Sequence, residues 1–419
     1  MYKFKPFVFM EHAANGPERP KARSGHRIAC DYRNLYSYGG FNPCISDTDP
    51  DMLDDQTWVA SKPLFKELWR FNLVSERWKR LPGQENMPNE LASNAVILRG
   101  NALMVYGGTG VPFGESCSNQ LYVCNVNDGT MKIVPATGEL PEPQYGQALV
   151  YHSSYLYTVG GTTGYEYTCD IHRFDLKNGV WETVYVCSGR EESEPHGRYR
   201  HELAFDGNMI YVLGGGTSIE AYGFSEIPAF DLETNRWRTL NTHADSNWAM
   251  VPSPRRCHGS VQYTDEKSGV TSVVISGGYN GDRVFSDVWR LDLSTLQWTC
   301  LRECILPRPV YFHSAALIPE GRMYIFGDTK NKRGSFCLDH DSQTVRDLLA
   351  GVELLLSDIE GLFARQIASY WHTLEIRTKT RVLRLVNALN CFLFGSFFSK
   401  LSTHFTAVIT LRSFLFDIY

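Results

Sequence analysis

Short apolar runs recur along the first four-fifths of the chain, and each is stopped by two glycines. They are NLYSY before Gly39-Gly40, ALMVY before Gly107-Gly108, YLYTV before Gly160-Gly161, MIYVL before Gly214-Gly215 and SVVIS before Gly277-Gly278. Runs this short, rich in aliphatic and aromatic side chains, predict buried strands rather than helices. Beyond each pair comes an octet: FNLVSERW (71–78), CNVNDGTM (124–131), FDLKNGVW (174–181), FDLETNRW (230–237) and LDLSTLQW (291–298). Alternating apolar positions, a polar turn and a closing large side chain predict strand, hairpin, strand. Trp78, Trp181, Trp237 and Trp298 close four octets and Met131 the fifth. Such rings are expected to fill the wedge between neighbouring sheets.

Ahead of each run lies a lead-in tetrapeptide: RSGH (23–26), ELAS (90–93), QYGQ (144–147), RYRH (198–201), RRCH (255–258) and VYFH (310–313). After the sixth, YIFGD (324–328) keeps one glycine, Gly327, and LDHDSQTV (338–345) is an octet with Val345 in the tryptophan place. A period near fifty residues, stretched by insertions, belongs to propeller blades rather than solenoids. The expected fold is all-β: a six-bladed β-propeller over residues 23–345 with a degenerate sixth blade. Strand-like YKFKPFVFM (2–10), within an N-terminal segment of residues 1–22, would supply a missing edge strand to the last blade.

After Pro319 proline disappears, and residues 346–419 carry apolar positions at three- and four-residue spacing, which predicts a C-terminal helical segment. Its most apolar run, 385–398, is too short for a secure membrane span. An insertion at residues 43–63 places Asp47, Asp49 and Asp51 at calcium-loop spacing, but Met52 stands where that loop needs glycine and Trp58 where it needs glutamate. It reads as a solvated acidic loop.

Composition changes this picture little. A net charge of -5 over 419 residues points to no polyanion partner. Eleven cysteines form no paired framework, and the N-terminal apolar run is too short for a signal peptide, so a cytosolic or nuclear location is expected. No GxSxG elbow, P-loop or HExxH is present. GGTGVPFG and GGGTS are repeat glycines with no helix after them, not phosphate loops. Neither enzymatic activity nor a cofactor or metal is expected.

The spans PKARSGHR (20–27), GGTGVPFGES (107–116), GGTTGYEY (160–167), RYRHE (198–202), LGGGTS (213–218), RRCH (255–258), GGYNGD (277–282) and PVYFH (309–313) resemble the kelch-repeat family. Within it they are most similar to the substrate receptors of cullin-two RING ubiquitin ligases. The likeness covers residues 20–335. It implies a kelch propeller that holds the extreme C-terminus of a substrate, a C-degron ending in a small residue such as glycine. It also implies a C-terminal box that binds elongin B and elongin C, which bridge to cullin-two. The best fit to that box is DLLAGVELLL, with Leu348, Val352 and Leu356, where Val352 departs from the family's small residue or cysteine. A kelch scaffold for folded partners, with no ligase adapter, is the alternative.

In such receptors the lead-ins and the loops after the glycine pairs converge at one mouth of the central channel. The matching positions are Arg23, Ser24, Tyr145, Tyr199, Arg200, Arg256, Tyr311 and Phe312 from the lead-ins. From the loops come Thr162, Tyr165, Thr217, Ser218, Tyr279, Asn280 and Arg283. Arginine forks accept a carboxylate bidentately and aromatic walls exclude water. Repetition divides these residues. Arg23, Arg198 and Arg255, and likewise His26, His201, His258 and His313, recur from blade to blade, which predicts a structural role, the arginines bridging blades. Arg200 and Arg256 do not recur, so they are the sharper ligand candidates.

Overall fold

The computed structural model describes residues 15–265, 268–318 and 321–327. The first sheet is β1 (Arg27–Cys30), β2 (Asn34–Tyr38), β3 (Leu68–Asn72) and β4 (Arg77–Arg80). The second is β5 (Ala95–Arg99), β6 (Ala102–Tyr106), β7 (Leu121–Asn125) and β8 (Met131–Ile133). A two-residue strand, β9 (Thr137–Gly138), precedes the third: β10 (Ala148–His152), β11 (Tyr155–Thr162), β12 (Tyr167–Asp175) and β13 (Val180–Tyr185). The fourth is β14 (Glu202–Phe205), β15 (Met209–Leu213), β16 (Glu226–Asp231) and β17 (Arg236–Asn241). The fifth is β18 (Gly259–Thr264), β19 (Thr271–Ser276), β20 (Val288–Asp292) and β21 (Gln297–Cys300). A sixth sheet has β22 (Ser314–Leu317) and β23 (Met323–Phe326). Strands one to four of each full sheet pair antiparallel in sequence order, and β9 adds to the outer edge of the third by pairing parallel with β13.

The chain is an all-β propeller. Where six four-stranded blades were expected, the described residues hold five full sheets and one of two strands. The inner strands pack in a ring, β1 on β5, β5 on β10, and so on to β18 on β22 and β22 on β1. Residues 335–419, a separate unit of the chain, lie outside the described residues, and with them the expected helices and Leu348, Val352 and Leu356.

The five octets among the described residues fold as read. In each, the first residue faces the last across the hairpin, as in Phe71 with Trp78, Phe174 with Trp181 and Phe230 with Trp237. The polar residue at the turn fixes it: Asp175 Oδ1 accepts the Lys177 N–H at 2.8 Å and Asp292 Oδ1 that of Ser294 at 2.8 Å. The closing ring then reaches the preceding blade. Trp181 lies 5.1 Å from Tyr106, and Trp78 lies 5.3 Å from Phe326 of the sixth sheet.

The glycine pairs make room for the fourth lead-in residue. A Cβ on Gly215 would sit 2.6 Å from the His201 Cβ, and one on Gly160 of the preceding blade 2.8 Å from the His201 Cε1. His201 is therefore wedged between two blades by backbone that carries no side chain. The same wedge closes the ring, because a Cβ on Gly327 would lie 2.5 Å from the His26 Cε1.

The insertion in the first blade carries the six-residue helix α1 (Gln56–Ser61), N-capped by Asp55, and a small core of Met52, Trp58 and Phe65. Its acidic residues are answered by amines: Lys21 Nζ bonds Asp49 at 2.9 Å and Asp51 at 2.7 Å, and Lys62 Nζ bonds Asp47 at 2.6 Å.

Candidate functional site

One backbone circuit defines the channel. The amide of Ser93 donates to the Gly25 carbonyl at 2.8 Å, Gly146 to Ser93 at 2.9 Å, and Arg200 to Gly146 at 2.7 Å. Cys257 donates to Arg200 at 3.0 Å, Phe312 to Cys257 at 3.0 Å, and Gly25 closes the circuit on Phe312 at 3.1 Å. All six residues have φ between +56° and +69°. Two are glycine; Ser93, Arg200, Cys257 and Phe312 hold the same left-handed conformation with a side chain, at a cost on the order of 1 kcal/mol each. Each residue links one blade to the next, so the circuit fixes the lead-ins around a common axis.

The circuit corrects the alignment of the second lead-in. Ser93 stands with Gly25 and Arg200, so the equivalent tetrapeptide is 91–94, one residue later than the sequence reading, and Asn94 takes the place of the histidines. The shift is chemically coherent: Asn94 Nδ2 donates to the Gly107 carbonyl at 2.6 Å, and Gln147, in that place in the third blade, donates to Tyr106 at 3.1 Å. It also separates the two sharpest candidates. Arg200 is a third-position residue on the circuit, whereas Arg256 is a second-position residue, aligned with Ser24, Tyr145 and Tyr199 by its bridge to Tyr279.

Arg200 occupies the channel. Its guanidinium donates to Ser93 Oγ, two blades away, and its Cζ lies 4.5 Å from the centre of the Phe312 ring. A Cβ on Gly25 would meet its Nη2 at 3.2 Å, so the side chain reaches across the ring from the fourth blade to the first. The residue is only 6% exposed. Ser93 was missed by the misaligned lead-in; an asparagine in the histidine register is the signal that would have found it.

Above this floor the walls are aromatic. Tyr145 meets Tyr199 edge-on at 6.1 Å, and Tyr199 meets Tyr167 at 5.3 Å. Tyr279 and Tyr311 lie 5.2 Å apart, as do Tyr311 and Phe312. Phe41 and Phe113, which the sequence reading did not single out, add an edge-on pair at 4.8 Å. The two most distinctive loop motifs meet here as well. A Cβ on Gly114 of GGTGVPFGES would fall 2.9 Å from Gly164 of GGTTGYEY, so each loop needs its glycine to pass the other.

Other candidates sit elsewhere. Arg256 is buried and committed to the neighbouring loop, donating to the Thr217 carbonyl at 2.6 Å and the Ser218 carbonyl at 3.1 Å. It therefore shapes the loop that carries Thr217 and Ser218. Thr162 is buried, its hydroxyl donating to the Glu166 carbonyl at 2.6 Å. Tyr165 stands at a loop tip, 72% exposed. Asn280 caps its own turn through the Arg283 N–H at 2.8 Å, and Arg283 lies over Phe285 at 5.3 Å.

The recurring arginines are structural, but within a blade rather than between blades. Arg198 donates to the Gly214 carbonyl at 3.1 Å and stacks 4.4 Å over Tyr222; Arg255 donates to Gly277 at 3.0 Å and stacks 4.1 Å over Phe285; Arg23 donates to Gly39 at 3.1 Å and stacks 3.9 Å over Phe65. Each pins its lead-in to its own first glycine. Burial, with a nearby arginine adding to it, lowers the His201 pKa to about 3, and burial holds that of His313 near 4. These rings are neutral packing groups at ordinary pH.

Comparison with known proteins agrees with this architecture. Residues 9–215 and 57–267 match the KLHDC2/KLHL20/DRC7 Kelch-repeats domain, and residues 271–304 match the Kelch motif. The chain belongs to the kelch-repeat family. It is 44% identical over 317 residues to the Kelch domain-containing protein 10 of Xenopus tropicalis and 43% identical over 317 residues to that of Homo sapiens. Those alignments cover 75% of this chain, and 73% and 68% of the relatives. It is also 42% identical over 354 residues to the Kelch domain-containing protein 10 homolog of Drosophila melanogaster, covering 78% of this chain but only 56% of that protein. What the kelch propeller contributes is a scaffold for protein interaction.

Proposed function

We propose that this kelch protein is the substrate-recognition subunit of a cullin-RING ubiquitin ligase, and that its channel mouth binds the C-terminal tails of proteins marked for degradation. The observation that carries the reading is Arg200. It is a guanidinium held at the axis by a closed backbone circuit, oriented by Ser93 Oγ and by the Phe312 ring. A fork so placed suits a carboxylate arriving along the channel, and the surrounding low-dielectric aromatic wall strengthens that contact. A floor this crowded leaves space for a small terminal residue such as glycine. Tyr145, Tyr199, Tyr279 and Tyr311 line the path of the tail, while Arg256 holds the Thr217–Ser218 loop beside it.

In this account the sixth sheet is a full though degenerate blade, making the ring six-bladed. Leu348, Val352 and Leu356 engage elongin B and elongin C, which join cullin-two. The protein adds no chemistry of its own. It works in the cytosol or nucleus, where the nine described free cysteines stay reduced. The competing reading is a kelch scaffold that binds folded partners without an adapter. Affinity purification of the chain with and without residues 345–419 separates the two. The receptor reading expects elongins B and C with the full chain and not with the truncated one; partners retained without elongins in either would favour the scaffold.

A further inference from the structure

The outer strands of the blades are not all covered alike. Along β13 of the third blade, Thr137 donates its backbone N–H to the Gly179 carbonyl at 2.9 Å and Glu139 to that of Trp181 at 3.0 Å. The Glu139 carboxylate also accepts the Thr183 N–H, two residues past the tryptophan, at 3.2 Å. Along β21 of the fifth blade, His243 donates to Leu296 at 2.7 Å. There the Asp245 carboxylate accepts the Cys300 N–H, again two past the tryptophan, at 2.8 Å. Both covering segments run parallel to the strand they cover, and they read alike: Thr-Gly-Glu (137–139) and His-Ala-Asp (243–245). The middle residue is small for a reason, because a Cβ on Gly138 would collide with the Trp181 carbonyl oxygen.

β17, the outer strand of the fourth blade, has no such cover among the described residues. Asn235, left-handed with φ +53°, stands two before Trp237 as Gly179 and Leu296 stand two before Trp181 and Trp298. Yet no backbone N–H among the described residues reaches its carbonyl. The segment that could do so is held elsewhere. Cys187 follows Trp181 by six residues, as Thr137 follows Met131 and His243 follows Trp237, but its N–H donates to Asp170 Oδ1 on its own blade at 2.8 Å. The N–H groups of Ser188 and Gly189 go to the Glu194 carboxylate at 2.9 and 2.6 Å. The strand left bare is six residues long, and Arg236, Arg238, Thr239 and Asn241 on it are exposed. Thr239 holds the place of Thr183 and Cys300, whose N–H groups point away from their own sheets. Across the ladder it faces Pro228, which has no N–H to offer it.

We propose that the outer edge of β17 docks an extended segment of a partner protein, one that carries a small residue followed by an acidic one and runs parallel to the strand. The segment donates its first N–H to the Asn235 carbonyl and its carboxylate accepts the Thr239 N–H, as the chain's own segments do on the third and fifth blades. Arg236 and Arg238 favour the same charge; Arg238 is anchored by Asp231 at 2.8 Å with 56% of its side chain exposed. Charges on an edge deter pairing with a second copy of the same strand, and here they attract an acidic partner. This edge is the outer side of a blade, so it serves a partner other than the tail read at the channel mouth.

The test uses a synthetic peptide with the sequence of residues 135–142, PATGELPE, amidated at its C-terminus so that it offers the channel no carboxylate. Its affinity for the full chain is measured at up to about 1 mM peptide, together with amide exchange along residues 236–241. Binding should slow exchange there. The peptide with Glu139→Gln should bind at least about 10-fold more weakly, and so should the parent peptide to the protein variant Thr239→Pro. Proline removes the outward N–H and is tolerated on an edge strand. If Thr239→Pro fails to fold, the two peptides on the parent protein still decide. Exchange along 236–241 unchanged by peptide, or equal affinity of the two peptides, would overturn the proposal. So would protection of 236–241 without peptide: rising with protein concentration it would assign the edge to a second copy, and independent of concentration to another part of the same chain.

Discussion

At the scale of single residues, repetition separates what is wedged between blades from what lies across the channel. His201 and Arg200 are adjacent in the chain, yet one is wedged between glycines of two blades and the other lies across the channel. The histidines also make a prediction. His26, His201, His258 and His313 are buried with pKa values held below 6.5, to about 3 for His201 and about 4 for His313. In the unfolded chain these groups titrate near 6.5. Below that pH the unfolded state binds protons that the folded state refuses, so stability is fully present above pH 6.5 and falls as pH drops from there toward 4. Each histidine contributes up to about 1.4 kcal/mol per pH unit in that window. The thermal midpoint should therefore fall steeply between pH 7 and pH 5. His201→Gln, which installs the residue the third blade already uses, should show a shallower fall; equal slopes for parent and variant would refute the assignment.

The element that carries the fold is the blade, and its glycines differ in a way that stability measurements can resolve. Gly215 has φ +81° and its Cβ position is blocked by His201, while Gly207 has φ +110° with open space around it. Gly215→Ala should cost about 2–4 kcal/mol in chemical denaturation, combining strain with a clash, and Gly207→Ala about 1 kcal/mol from strain alone. Comparable losses at both positions would mean that the wedge carries no energy. These elements were legible in the sequence because hairpins are local. The octets state their own turn and partner, so Phe174 facing Trp181 could be read directly. The second lead-in was misplaced by one residue because its third and fourth positions, Ser93 and Asn94, match neither the Gly25-His26 ending of the first lead-in nor the Arg200-His201 ending of the fourth. The cross-blade hydrogen bond from Ser93 to Gly25 establishes the equivalence.

For the whole molecule, the convergence of lead-ins and loops on one channel mouth was legible from the repeat, but the division of labour at the mouth was not. Arg200 and Arg256 looked alike in sequence. A left-handed backbone sends Arg200 across the axis, while Arg256, bridged to Tyr279, donates to the carbonyls of the preceding blade's loop. Such long-range geometry depends on ring closure, which no local pattern encodes. The claim that the mouth reads a C-terminal carboxylate is tested most directly by equilibrium binding of one peptide in two forms, ending in glycine with a free carboxylate or a carboxamide, to the parent and to Arg200→Gln. The account predicts at least about 100-fold weaker binding of the amide to the parent, a loss on the order of one buried charged hydrogen-bond pair, and little discrimination by Arg200→Gln. Equal affinity of the parent for both forms would contradict it.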